Sequence, residues 1–274
     1  MAEPMVQTTP PRCRRILRTR VDATSYRHAT DQVLRWAAAG QSRYVCVATV
    51  NNLIEGCDDP GYNGMMEAAD LVTPDGMPLV WGLRLLGVPD ASRVYGPDLT
   101  LLVCEEAARQ GIPVGFYGGH DDVLDDLTAT LWRRWPELRV AYRWSPPFRA
   151  LTDEEEARVT DELLRSGTRV LFVGLGSPKQ ERWMADHRHL PVVMIGVGAA
   201  FDFLSGRKRQ APRALQGLGM EWLHRLAHEP RRLATCTATP GSSPCSRPSC
   251  CGNGNSEGAW MTRRTALVTR AGWG

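Results

Sequence analysis

The sequence holds no run approaching the roughly 20 consecutive apolar residues that a membrane span requires, and no apolar stretch follows its basic N-terminus as in a signal peptide. A chain of this kind is expected in the cytoplasm. No C-x-x-C pair occurs, and Cys13, Cys46, Cys57 and Cys104 are scattered, so a disulfide framework is not expected. The other four of the eight cysteines lie after residue 235, the first sign that the end of the chain differs from the rest. The absence of G-x-x-x-x-G-K-[ST] excludes a P-loop kinase or ATPase, and G-x-S-x-G and H-E-x-x-H are missing as well. No early strand is followed by G-x-G-x-x-G with an acid about 20 residues on, which disfavours a dinucleotide-dependent dehydrogenase. The neighbouring aspartates Asp58/Asp59, Asp121/Asp122 and Asp125/Asp126 never form D-x-D, the spacing with which many sugar transferases hold a metal on a nucleotide diphosphate. No metal is implied. The formal charge of +3 is too small to call for nucleic acid.

What is present is ordinary globular material: 274 residues, 43% hydrophobic and 23% charged, enough for one large core or two small ones. The arginines crowd between Arg12 and Arg20 and again between Arg207 and Arg232, which suits phosphates or a lipid surface; a solvated basic rim would read the same way. The most informative stretch is VLFVGLGSPKQE, Val170 to Glu181. Four apolar residues predict a short buried strand, Gly174 and Gly176 break it, and Pro178 stands where a helix would begin. A strand that turns on glycines into a helix leaves unpaired N–H groups at the positive end of the helix dipole, and Lys179 adds a charge beside them. That is the outline of a phosphate cradle, although many α/β proteins use a glycine there only to turn the chain.

Along the chain, residues 1–14 read as a polar, basic, disordered arm. A strand is expected over 16–21, a helix over 25–39, and a strand over 44–48 that delivers Thr49, Asn51 and Asn52 to its C-terminal end. A helix begins near Pro60, and a brief strand over 71–73 ends in Pro74, Asp75 and Gly76. An apolar helix runs from Met77 to Leu86, and a loop carrying Arg93 leads to a helix capped by Asp98. Strands over 112–117 and 139–143 follow, then a helix opened by a Thr152/Glu155 capping box, the glycine-turn segment, and a strand over 192–197 leading into AAFDFLSG. This alternation predicts an α/β fold, a mostly parallel, Rossmann-like sheet with helices on both faces, spanning residues 15–233 with a C-terminal extension.

Three polar clusters fall after strands: Thr49/Asn51/Asn52, Asp75/Gly76 and Lys179/Gln180/Glu181. In a parallel sheet those ends share one edge, so distant residues can line one cleft. Taken singly, Pro-Asp-Gly is a favoured turn and Asn51-Asn52 a helix cap. Asp202, after the last strand, is either a nucleotide contact or a cap.

TVNN, ADLVTPDGMPLVWGLRLLG, RVYGPDL, FYGG, VGLGSPKQE, GVGAAFDFLSGRKRQAP and GMEWLHRLAHEPRRL occur in that order. Together they resemble bacterial glycosyltransferase family 26, the N-acetylmannosamine and N-acetylmannosaminuronic acid transferase group, over roughly residues 15–233. The resemblance implies a UDP-sugar donor with no cofactor, a polyprenyl-diphosphate-linked sugar acceptor, and work at the inner membrane face as a peripheral protein. It further implies a metal-independent inverting transfer feeding teichoic acid linkage units, common antigen or capsule and exopolysaccharide. An oligomer is compatible with it. By resemblance Asp75 is the general base, Thr49 and Asn51 line the donor and acceptor pocket, Arg93 contacts phosphate or sugar, and Gln180 is the polar residue of PKQE.

The chemistry agrees with those roles. A carboxylate must take the acceptor proton, cations must hold the departing diphosphate, and Gly76 would leave room for substrate. A non-catalytic nucleotide-binding regulatory module is the alternative, separated from the enzyme by whether UDP is released from UDP-sugar when a lipid acceptor is added.

In the family, EPRRL leads into an arginine-rich, apolar appendage lying on the membrane. Here Arg225, Arg231 and Arg232 are kept, but residues 234–274 are rich in Thr, Ser, Pro, Cys and Gly without periodicity. Read in the frame starting at each codon's third base, with permitted wobble choices, ATCTATPGSSPC becomes YLYGNPRFLAL, which resembles that appendage. A single-base frameshift near residue 234 is therefore expected, against a genuine divergent tail; resequencing the gene across that point decides between them.

Overall fold

The structure, a computed structural model, describes residues 11–208. The tail reading and the assignments of Arg225 and Arg232 fall outside the described residues. The described part opens on a hairpin rather than one strand. Cys13–Ile16 (β1) and Thr19–Asp22 (β2) pair antiparallel, with Ile16 opposite Thr19, so the strand expected over 16–21 is broken near its start. The turn falls on Leu17 and Arg18, and Leu17 adopts φ 57 with neither glycine nor asparagine to signal it.

The remaining elements follow in order: Tyr26–Ala38 (α1), Arg43–Ala48 (β3), Val50–Asp58 (α2), Pro60–Ala68 (α3), Leu71–Pro74 (β4), Met77–Leu85 (α4), Gly96–Gln110 (α5) and Val114–Gly118 (β5). Then come Asp121–Arg134 (α6), Val140–Trp144 (β6), Asp153–Ser166 (α7), Val170–Gly174 (β7), Lys179–Asp186 (α8), Val193–Gly196 (β8) and Ala200–Leu204 (α9). Ser25 caps α1 by accepting from the His28 N–H, and Ala29, Val33 and Ala37 form its buried stripe. The capping box expected on α7 is present, with Thr152 Oγ1 accepting from the Glu155 N–H at 3.2 Å and Glu155 accepting from the Thr152 N–H at 2.9 Å.

Two helical expectations need correction. The helix expected near Pro60 is preceded by a separate one, α2, hidden in the sequence by its Asn-Asn start and by Gly56. The helix expected after an Asp98 cap begins at Gly96 with Pro97 in its first turn; Asp98 already lies within it and accepts from the Tyr26 hydroxyl at 3.1 Å.

Six strands form one all-parallel sheet in the order β4-β3-β8-β7-β5-β6. Alternate residues serve opposite faces. Val170 and Phe172 of β7 join the core beneath α1, α5 and α6, whereas Leu171 and Val173 join the core containing Leu53, Tyr62, Leu79 and Met184 from α2, α3, α4 and α8. Burial on both faces explains why the inner strands β7 and β8 read as unbroken apolar runs, whereas the edge strand β6 carries an exposed Arg143. Because all six strands run the same way, every C-terminal end lies on one edge. Cys13, Cys46, Cys57 and Cys104 are free thiols.

Candidate functional site

The edge is built strand by strand. β3 and β4 end in register, Ala48 beside Pro74, so Thr49 and Asp75 leave the sheet side by side. The Asp75 N–H donates to the Ala48 carbonyl at 2.9 Å and fixes the first residue of the loop. Gly76 caps α4 with φ −90 and meets Pro78 Cδ, 3.5 Å from where a β-carbon would stand.

Arg93 returns to this point from the α4–α5 loop, because the Val94 N–H donates to the Pro74 carbonyl at 2.9 Å. Its Nε donates to the Asp75 carbonyl and its Nη2 lies 3.3 Å from Asp75 Oδ1. The guanidinium also sits 4.3 Å from the Tyr95 ring centroid, a cation–π contact that holds it from the other side. The Arg93 and Asp75 side chains are 16% and 15% exposed, so the pair is largely enclosed yet open to solvent.

A second feature lies farther along the same edge. The ends of β5, β7 and β8 enclose a cavity of about 200 Å³, lined by Gly119, Gly174, Gly176, Gly198, Phe201 and Asp202 among others. Four of its lining residues are glycines, which lets peptide N–H groups approach a ligand closely. Gly176 turns the chain with φ 76 and leaves the space beside it open, while Gly174 gives way to Phe201. Lys179, first residue of α8, is exposed just beyond. Asp202 pairs with Lys208 at 2.9 Å rather than standing unneutralised. β4 and β7 are three positions apart in the sheet, so at about 4.8 Å per step Asp75 and the Gly176 turn are separated by roughly 14 Å.

The remaining polar candidates divide. Thr49 caps α2 at the rim, and Asn51 is exposed in that helix's first turn. Asn52 and Gln180 are 2% and 3% exposed, turned inward into a hydrogen-bonded cluster. Asn52 Oδ1 accepts from the Thr49 N–H at 2.9 Å and the Thr49 hydroxyl at 2.7 Å, so the cap reading of Asn52 holds. Gln180 Oε1 accepts from the Gly198 N–H at 3.0 Å and ties α8 to the loop after β8. Sequence reasoning did not put Gly119, Gly198 or Phe201 at the site. The usable signal was a glycine pair or a lone glycine directly after an apolar strand, as at Gly118-Gly119 and Gly198.

Among the described residues no group of three His, Cys, Asp or Glu side chains is placed to hold a metal ion, and no helix is long and apolar enough to cross a membrane.

An all-parallel sheet with helices on both faces, carrying a carboxylate and a glycine-lined cavity on its C-terminal edge, makes this an α/β protein of the doubly wound class. Its family is also fixed: the model of the glycosyl transferase WecG/TagA/CpsF family matches residues 14–239, and the chain belongs to that family. It is thus a transferase of the kind that builds cell-surface polysaccharides.

Proposed function

We propose that the protein is an inverting, metal-independent glycosyltransferase. It moves N-acetylmannosamine or a related sugar from a UDP-sugar to a polyprenyl-diphosphate-linked acceptor, in teichoic acid or other cell-surface polysaccharide synthesis at the inner membrane face. The observation that carries this reading is the placement of Asp75, oriented by Arg93, on the same sheet edge as the glycine-walled cavity. An extended nucleotide diphosphate sugar spans such a separation, with its nucleotide in the cavity and its anomeric carbon toward Asp75.

In the reaction the acceptor hydroxyl oxygen attacks the anomeric carbon from the face opposite the diphosphate, and the bond from that carbon to the diphosphate oxygen breaks. The hydroxyl proton passes to Asp75, and UDP departs with the bonding electrons. Arg93, Lys179 and the N–H groups around Gly176 are the groups available to receive the developing negative charge.

A screen of UDP-sugars against a synthetic polyprenyl-diphosphate acceptor tests the proposal by acceptor-dependent UDP release. Binding of UDP without release under any donor would instead make the chain a nucleotide-binding regulator.

Gly76 offers a sharper test of where substrate passes. Its φ of −90 suits any residue, and among the described residues a β-carbon there would meet only ordinary contacts, so their packing does not require glycine. A Gly76→Ala chain should keep its stability to within about 0.5 kcal/mol by denaturant unfolding yet transfer sugar at least about tenfold more slowly. Equal rates would move the acceptor path elsewhere.

A further inference from the structure

Glu181, the third residue of α8, is 0% exposed, the only acidic side chain among the described residues so completely shut from water. Its Oε1 accepts from Gln180 Nε2 at 2.9 Å and from Asn52 Nδ2 at 3.2 Å, and its Oε2 has no hydrogen-bond partner. The same Asn52 amide reaches the Tyr62 hydroxyl at 2.7 Å and Ser177 Oγ at 3.0 Å, and those two hydroxyls lie 3.1 Å apart. From this cluster one arm runs through Asn52 Oδ1 to Thr49, and another runs through Gln180 Oε1 to the Gly198 N–H. Glu181 therefore stands where the loops after β3, β7 and β8 are knotted together behind the site.

We propose that Glu181 is a positioning residue for sugar transfer, the buried junction that holds Thr49, the Gly176–Gln180 turn and Gly198 in fixed relation to one another. This role rests on the glycosyltransferase reading of the site, whereas the protonation behaviour that accompanies it does not. None of its hydrogen bonds comes from a cation. The titratable groups facing it are the Cys46 thiol from β3 and the Tyr62 phenol from α3, both pushed well up by burial and therefore neutral. Asn52, Ser177 and Gln180 are uncharged, and neighbouring Arg182 is turned to Asp59 at 2.7 Å.

Burial pushes the Glu181 carboxyl above the ordinary carboxylate range, outweighing the bond from Gln180 and the nearby Ser177 and Tyr62 hydroxyls, which favour the ionised form. The burial thus biases the junction toward its uncharged form. For an acid raised on folding, the associated stability is full below the unfolded value of about 4.3 and is lost as pH rises through the folded value.

Glu181→Gln tests this in the full chain, because a glutamine carbonyl can accept the same two N–H bonds and carries no charge at any pH. Glu181→Ala removes them. Two readouts are taken: thermal midpoint against pH, and kcat/KM for transfer against pH, per folded molecule. The glutamine chain is expected to match wild type within about threefold on the acid side and to lack its decline on the alkaline side in both readouts. The alanine chain is expected to lose about 10²-fold in kcat/KM. Glutamine and wild-type midpoints that fall in parallel with pH would overturn the uncharged form. A glutamine chain as inactive as the alanine chain, or an alanine chain fully active once folded, would overturn the positioning role. If no chain transfers sugar, the proposed activity fails and with it the positioning role, while separated midpoint curves would still establish the uncharged junction.

Discussion

Replacing Asp75 with asparagine should leave a folded chain that binds UDP and transfers sugar about 10² to 10⁴-fold more slowly, the usual range for a lost general base. Asparagine keeps the volume of the side chain and an oxygen for Arg93, now 3.3 Å from Oδ1, and the backbone bonds that place the residue do not involve the side chain. What it loses is the capacity to take a proton. The loss should appear in kcat rather than in UDP affinity, measured by titration calorimetry beside steady-state kinetics. Turnover retained within tenfold would remove Asp75 from the role and turn attention to another acceptor of the proton.

Gly118→Ala is expected to have the largest effect on the fold. Gly118 takes φ 117, a region that a β-carbon disfavours, and that carbon would lie 2.6 Å from both the carbonyl carbon and oxygen of Gly174. Neither atom can swing aside, because both belong to the backbone of the neighbouring strand, with which Gly118 is in register. Strain and overpacking together are expected to cost about 3 kcal/mol or more. The cost should appear as a lower urea midpoint with an unchanged slope, and any folded fraction should bind UDP poorly because the β5 and β7 ends wall the cavity. A midpoint equal to wild type would show that the two strand ends separate at little expense.

Much of this arrangement was legible in the residues, for physical reasons. The strand, glycine turn and helix from Val170 to Glu181 stand out because a doubly buried strand must be apolar and glycines must end it. Pro-Asp-Gly after a short apolar run placed Asp75 at the sheet edge, and parallel topology did the rest. The first hairpin was illegible because Leu17 carries a positive φ without the residue types that normally announce one. The inward orientation of Asn52, Gln180 and Glu181 was illegible for another reason. A polar residue just after a strand looks the same whether it meets substrate or knits loops together, and only its partners distinguish the two. The decisive partners lie far away in the chain: Asn52 meets Ser177 and Glu181, 125 and 129 positions on.

The strand order also bears on how the molecule is made. β8 lies between β3 and β7, yet it is the last of the six strands to leave the ribosome. Until it emerges, β3 and β7 each present a bare apolar border, and the two halves of the nascent sheet have no strand to join them. Such long-range closure slows folding and leaves sticky edges waiting, so newly synthesised chains should depend on chaperones until the final insertion seals the middle.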